Sequence, residues 1–299
     1  MTGRSLLDLD GVSPSDLEAI LGLAEAAPVP VLDGRGVALI FEKPSARTRN
    51  ATEMAVVQLG GHPVSLRGEE VGIDLRETAE DVARTLACYH AAICARVFDH
   101  GRLERMAAVV DVPVVNLLSD RSHPCQAVAD LLTLRHHFGH LDGLTVAYVG
   151  DWNNVARSLG QALALSGANF RLGCPSGYGP TDHDIDALAL LGPRPQVHHR
   201  VEDAVRDADA VYTDVWTSMG AEERSAERRR DFQGWTVTPA LMAVAGRDAV
   251  FLHCLPAHRG EEVSSEVLEG RSSLVWPQAR NRLLAARGVL RWLMDGEAA

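Results

Sequence analysis

The sequence has little of what marks secreted, membrane-bound or nucleic-acid-binding proteins. Its five cysteines stand at positions 88, 94, 125, 174 and 254, scattered and odd in number, and no two form C-x-x-C. That pattern argues against a disulfide framework or a structural zinc site and fits a reducing compartment. No apolar stretch approaches the roughly 20 residues that cross a bilayer. Residues 1–10 have no long apolar core behind a basic start, so no signal peptide is expected and the chain is expected in the cytoplasm. Basic charge is also scarce: 29 Lys and Arg against 40 Asp and Glu leave a net charge of −11. A polyanion partner needs a broad basic surface, so a nucleic-acid partner is not expected. Any anion must be captured by a local cluster of arginines and backbone N–H groups, because the overall field opposes it. Internal repeats and low-complexity tracts are lacking too.

The 299 residues, 46% hydrophobic with 26 Gly and 14 Pro, have an ordinary globular composition, and this length fits two domains. Short apolar runs at 36–41, 91–95, 113–116, 144–150, 169–174, 210–213 and 249–253 read as strands. Helical patterns lie between them at 47–59, 77–90, 126–138, 155–166 and 182–190, and a terminal helix at 278–293 repeats Leu283, Leu284, Val289, Leu290 and Leu293 on one face. This alternation predicts an α/β fold with parallel sheets. The polar stretch 138–143 is the expected change of domain. The charged run 222–231 is expected as a mobile surface loop, with a solvated helical turn as the alternative.

Several constellations sit at predicted strand ends. Ser45-Ala46-Arg47-Thr48-Arg49 joins a strand to a helix: Ser45 suits an N-cap, the first-turn N–H groups suit an anion, and two arginines add paired donors for phosphate. The bland alternative is a capped helix with solvated arginines. Arg96 follows a predicted strand at its carboxyl end, where open α/β sheets bind ligands. His123-Pro124-Cys125-Gln126 opens a helix with neutral donors able to polarise a carbonyl, or else is a cap with a satisfied histidine. Gly150-Asp151-Trp152-Asn153-Asn154 occupies the place of a dinucleotide turn, yet G-x-G-x-x-G is absent, which speaks against a nicotinamide-dependent oxidoreductase. Asp214 offers a carboxylate for an ammonium group, with Ser218 and Met219 close behind in sequence. His253-Cys254-Leu255-Pro256 could suggest a thiol nucleophile, but neighbours on a strand point to opposite faces. A metal site from His253, Cys254 and His258 lacks a fourth ligand at sensible spacing.

Taken in order, Ser45–Arg49, Arg96, His123–Gln126, Gly150–Asn154, Asp214–Gly220 and His253–Pro256 resemble the motifs of the aspartate/ornithine transcarbamoylase family, over roughly residues 36–293. D-x-x-x-S-M-G and H-C-L-P resemble its ornithine branch. The resemblance implies two doubly wound parallel-sheet domains with the C-terminal helix packing back on the first. Residues 1–137, completed by 278–299, would bind carbamoyl phosphate, and residues 138–277 would bind ornithine. The implied reaction carbamoylates the δ-amine of L-ornithine to give citrulline and phosphate, as in arginine biosynthesis, without cofactor or metal, in a homotrimer. Ser45, Ala46, Arg47, Thr48, Arg96, His123, Gln126, Cys254, Leu255 and Arg282 would bind carbamoyl phosphate. Asn154, Asp214, Ser218, Met219 and Cys254 would bind ornithine, and Arg47, Arg96, His123 and Cys254 would be catalytic. Two places depart from the family: Ala46 replaces the usual Thr, and the acidic stretch 68–74 replaces a polar loop that reaches a neighbouring subunit. Putrescine or acetylornithine as acceptor, or a silent ligand-binding paralogue, are the competing readings.

Overall fold

The computed structural model describes residues 4–217 and 224–295. Packing groups the chain into two units: one runs to Ala129 and takes in the segment from Asn281 onward, and the other is Asp130–Arg280.

The first unit contains α1 (Pro14–Glu25), β1 (Gly36–Phe41), α2 (Ala46–Gln58), β2 (His62–Arg67), α3 (Gly68–Val71), α4 (Ala79–Ala87), β3 (His90–Arg96), α5 (His100–Ala107) and β4 (Val114–Leu118), and α6 (Pro124–Phe138) starts in it. Its four strands are all parallel in the order β2-β1-β3-β4. The inner strands β1 and β3 are near-continuous apolar runs, as a sheet covered on both faces requires. The edge strand β2 is half-buried and carries Pro63, which an edge tolerates. The unpatterned, partly polar run of β2 explains why the sequence does not announce it. Helix α1, also unannounced, is fixed by a capping box: the Asp16 N–H donates to Ser13 Oγ at 3.1 Å and the Ser13 N–H to Asp16 Oδ2 at 3.3 Å.

The second unit contains β5 (Thr145–Val149), α7 (Asn154–Leu165), β6 (Asn169–Gly173), α8 (Asp182–Ala189), β7 (Gln196–His198), α9 (Val201–Val205), β8 (Ala210–Thr213), α10 (Ser225–Asp231), α11 (Pro239–Met242), β9 (Val250–His253), α12 (Ser265–Leu268) and the first turns of α13 (Val275–Asp295). Its parallel sheet has the order β7-β6-β5-β8-β9. Both sheets are doubly wound. In the first, the chain leaves β1 for β2 on one side and builds β3 and β4 on the other. In the second, it leaves β5 for β6 and β7 and returns to build β8 and β9. Such a reversal opens a crevice at the carboxyl ends of two neighbouring strands. Here those pairs are β1/β3 and β5/β8.

Two local expectations change. The charged run ending at Asp231 is helical from Ser225, and Arg228 within it is buried. The mobile-loop expectation is thus replaced over those residues by the helical alternative, which is solvated except at Arg228. The acidic stretch 68–74 forms α3 and a turn in which Asp74 (φ 60°) folds back onto its own unit: its Oδ2 pairs with Arg102 at 3.0 Å and Arg105 at 2.5 Å.

The C-terminal part of α13 packs on the first unit, burying Ala285, Val289, Leu290 and Leu293. Arg287 Nη2 donates to the Ala24 and Ala26 carbonyls at 2.6 and 2.9 Å, taking up carbonyls that the end of α1 leaves open. Gly288 lies tight against α1, where a Cβ would be 2.6 Å from the Ile20 carbonyl oxygen and 2.7 Å from Ala24 Cβ. Elsewhere in a helix Ala outdoes Gly by about 1 kcal/mol. At this crossing the clash wins, at a cost of about 1–3 kcal/mol. Gly288→Ala is therefore expected to lower the urea unfolding midpoint, and a raised midpoint would show that the two helices have room.

Candidate active site

In the first unit the motif residues gather at the carboxyl ends of β1 and β3. Ser45 caps α2, its Oγ accepting the Thr48 N–H at 3.3 Å. The first turn of α2 holds no acidic residue, so its positive end is unopposed by a side chain of its own. Ala46 is exposed, Arg47 half-buried and Thr48 buried. Arg282, on α13, donates from Nη2 to Thr48 Oγ1 at 2.5 Å. Arg96 is the last residue of β3. His123 lies just before α6 and is 4% exposed. Its burial, and then the positive charges of Arg282 and Arg96, hold the imidazole well below its usual pKa. It is therefore a neutral ring among cations. Gln126, on the first turn of α6, is buried. Burial pushes the Cys125 thiol up to about 12, and its Sγ faces the Asn116 carbonyl at 3.7 Å, so it is an inert thiol. Beside the start of α2 a cleft of about 450 Å³ is lined by Ser45, Ala46, Arg49, Arg67 and Glu69.

In the second unit the β5 and β8 ends carry the other set. Gly150 needs its missing side chain, because a Cβ would lie 2.9 Å from Tyr148 Cε1. Asn153 caps α7, its Oδ1 accepting the Val155 and Ala156 N–H groups at 3.0 and 2.9 Å. Its amide Nδ2 donates to Asp214 Oδ2 at 3.3 Å, and the Cys254 thiol donates to Asp214 Oδ1 at 3.0 Å. Asp214 is 7% exposed, and neither of these partners is a cation. That leaves the carboxylate suited to an incoming ammonium group. Asn154 follows at the start of α7, half-buried. Ser218 and Met219 lie outside the described residues.

The His253 ring bonds to neighbours other than the Cys254 thiol. The His253 Nδ1 accepts the Leu255 N–H at 2.8 Å, which assigns the ring proton to Nε2, 3.1 Å from Glu262 Oε1. This bond holds Leu255 in a left-handed conformation (φ 61°), rare for a residue with a side chain. One ligand atom each of Asp214, His253 and Cys254 lies within 4.8 Å of the others. Both histidine nitrogens are engaged, however, and two remaining ligands are too few for a zinc site. A second compact group, His258, Glu261 and Glu262, is compromised because Glu262 Oε1 already accepts from His253 and from the His258 N–H at 2.6 Å.

Three buried groups around these residues escape sequence reasoning. Tyr148 donates its hydroxyl to Asn153 Oδ1 at 3.3 Å, and burial keeps that hydroxyl protonated far above its usual range. Arg228 donates to the Trp216 carbonyl and to Asp151 Oδ2, with its guanidinium 5.0 Å from the Tyr178 ring centroid. Burial nevertheless pushes Asp151 up to about 6. Glu262 is the third. The Arg228 partner Asp151 lies 77 residues away in sequence, and only G-D-x-N-N offered a signal, through that residue.

The neutral state of His123 has a measurable sign. The unfolded chain binds a proton there near pH 6.5, whereas the folded chain resists it. The stability this site supplies is complete above that pH and is lost as the pH falls toward the depressed folded value. His123→Gln should therefore lose less stability than the wild type between pH 7 and pH 5, read from urea midpoints. Parallel acid losses in the two proteins would show that the imidazole takes up its proton in the folded state.

Comparison with known proteins agrees with the motifs. The sequence model of the aspartate/ornithine carbamoyltransferase carbamoyl-P binding domain matches residues 4–136, and that of the Asp/Orn binding domain matches residues 142–293. The chain is 47% identical to the ornithine carbamoyltransferase of Acidothermus cellulolyticus, over 98% of this chain and 97% of that protein. Among solved structures, the ornithine carbamoyltransferase of Pyrococcus furiosus superposes with a TM-score of 0.94 at 43% identity, covering 99% of this chain and 98% of that one. The Thermus thermophilus enzyme gives 0.89 at 45%, covering 97% and 98%. With both domain models matched in sequence order and relatives this similar along almost the whole length, the chain belongs to the aspartate/ornithine carbamoyltransferase family.

Proposed function

We propose that this chain is an ornithine carbamoyltransferase, moving the carbamoyl group of carbamoyl phosphate to the δ-amine of L-ornithine in arginine biosynthesis. The observation that carries the choice of acceptor is the buried Asp214 carboxylate, which receives hydrogen bonds from a neutral amide and a thiol. An acceptor with a second carboxylate calls for cations at that place, whereas a diamino acid calls for an acid.

Carbamoyl phosphate is assigned to the first unit, which runs to Ala129 and takes in the segment from Asn281. Ser45 and the N–H groups of Ala46, Arg47 and Thr48 hold its phosphate at the positive end of α2. Ala46 supplies only its backbone, since it has no hydroxyl. Arg47, Arg96 and Arg282 offset charge on the phosphate and on the carbonyl oxygen as it becomes negative. His123 and Gln126 orient the carbamoyl group as neutral donors and acceptors. Ornithine is assigned to the second unit, Asp130–Arg280. Asn154 binds its carboxylate, Asp214 with Ser218 and Met219 its α-ammonium, and Cys254 lies beside its δ-amine. The Cys254–Leu255 backbone also approaches carbamoyl phosphate.

The neutral δ-amine attacks the carbonyl carbon. A C–N bond forms, the C–O bond to phosphate breaks, and the amine loses a proton. Donors fixed around a developing oxyanion contribute several kcal/mol each, and this chemistry asks for no metal or cofactor. Among the described residues no helix is long and apolar enough to cross a membrane, and we place the enzyme in the cytoplasm. We further assign it a homotrimer, as the family resemblance implies; Met54 and Val57 on α2, with Leu75 and Tyr89, are 47%, 50%, 89% and 72% exposed on the first unit, apolar surface that association would cover. Light scattering should then give three chains per particle, and a monomer at working concentration would overturn that assignment.

The decisive test is citrulline formation from carbamoyl phosphate and ornithine, run beside acetylornithine, putrescine and lysine. Ornithine should give the highest kcat/KM, and preference for another amine would replace the acceptor. Asp214→Asn removes a charged partner worth about 1.5–3 kcal/mol, so kcat/KM for ornithine should fall roughly 10- to 100-fold. The KM for carbamoyl phosphate should stay near the wild-type value, and an equal rise in both would refute the division between domains.

A further inference from the structure

Gln278, on the first turns of α13, is 1% exposed and makes three hydrogen bonds through one amide. Its Oε1 accepts the His253 N–H at 2.9 Å, and its Nε2 donates to Asp130 Oδ1 at 2.7 Å and to the Tyr212 hydroxyl at 3.2 Å. The reason lies in the edge strand. The outward N–H of Phe251 on β9 is taken by the Ser272 carbonyl at 2.8 Å, and the Leu274 N–H returns to the Phe251 carbonyl at 2.8 Å. Two residues on, the next outward N–H belongs to His253, and by then the neighbouring backbone has turned into α13. The Gln278 side-chain carbonyl takes the place of the missing backbone carbonyl. Its orientation is not free: a flipped amide would set its oxygen against the fully buried Asp130 carboxylate.

Tyr212 and His253 lie one residue short of a common rung. Thr213 pairs with His253 as the last rung between β8 and β9, and Asp214 and Cys254 follow directly. The 3.0 Å contact between the Cys254 thiol and the Asp214 carboxylate thus stands just beyond the rung whose His253 backbone Gln278 fastens, while its Nε2 holds the ring hydroxyl of Tyr212 from the rung before.

We propose that Gln278 is a positioning residue for the acceptor half of the site, its amide fixing Cys254 and Asp214 relative to each other. This rests on the acceptor reading given above. A displacement of about 1 Å at reacting groups can cost roughly 100-fold in rate, which is why one remote amide matters.

The test compares wild type, Gln278→Leu and Gln278→Glu in the full-length protein by two readouts. Cys254 alkylation by iodoacetamide, followed by peptide mass spectrometry, reports on the thiol without requiring turnover. Gln278→Leu should speed it, and should lower kcat/KM for ornithine by roughly 10- to 100-fold, well beyond any loss for carbamoyl phosphate. In Gln278→Glu a protonated carboxyl can reproduce the fork, accepting from His253 and donating to Asp130. Facing that carboxyl are Asp130 from α6, the Tyr212 hydroxyl from β8, which burial keeps protonated, and the His253 backbone on β9. Beside the Asp130 carboxylate, the introduced carboxyl loses its proton as pH rises. The activity of Gln278→Glu relative to wild type should therefore be near one at pH 6 and decline toward pH 9, while that of Gln278→Leu stays uniformly low. Unchanged alkylation and ornithine kinetics in Gln278→Leu, equal losses for both substrates, or a flat Gln278→Glu ratio would each overturn the proposal. If the wild type makes no citrulline, the acceptor reading falls, and the alkylation contrast still decides the role of Gln278.

Discussion

Everything functional here depends on where a parallel sheet reverses its winding. A parallel crossover must return along one face of the sheet, and crossovers leaving adjacent strands in opposite directions pull their loops apart. The gap so formed is lined by strand carboxyl ends and helix amino ends, which carry free N–H groups and partial positive charge. Each sheet has one such gap, between β1 and β3 and between β5 and β8. Ser45–Thr48 and Arg96 occupy the first, and Asn153, Asn154 and Asp214 the second. The same fold element is used for opposite ends: an unopposed helix start and arginines in one, a capped helix start and a buried acid in the other.

That difference follows from how each helix start is satisfied. At α2, Ser45 accepts one N–H and the first turn contributes no carboxylate, so capacity for an anion remains. At α7, Asn153 Oδ1 consumes two N–H groups, and its other end, Nδ2, is turned to Asp214. An asparagine can cap a helix and donate to a carboxylate at once, because its amide carries acceptor and donor on opposite sides. A serine there could cap α7 but could not also support Asp214 through a second group. Asn153 in this turn thus has a physical use, beyond failing to match a nucleotide motif.

What could be read from the sequence follows the range of the forces involved. Ser45, Arg96, His123, Asn154, Asp214 and Cys254 stand where a short apolar run ends, and strand ends are local features. The alternation of strands and helices was equally legible, since apolar β1 and β3 run almost unbroken. The edge strand β2 was not, because half its surface meets water and its composition is mixed. Arg228 reads as one charge in a solvated run until Asp151, 77 residues away in sequence, is placed beside it. Gln278 reads as a helix-surface residue until β9 is seen to lack a carbonyl at His253. Residues fixed by a distant partner carry no local signature, and they are the ones that hold the catalytic candidates still.

The net charge of −11 frames the last step of the chemistry. Carbamoyl phosphate approaches a protein whose overall field repels it, so affinity has to come from arginines close at hand. Arginines gathered round a buried pocket then constrain their neighbours. A protonated His123 would set a buried cation beside Arg96 and Arg282, and desolvation and repulsion together prevent it. The imidazole is left as a neutral dipole whose proton sits on a nitrogen and can point at a carbonyl oxygen. On the assignment proposed above, it would polarise the carbamoyl group without donating its proton to it, and guanidinium groups would match the charge of the departing phosphate. Neutrality at His123 thus follows first from its burial and then from the two arginines set beside it.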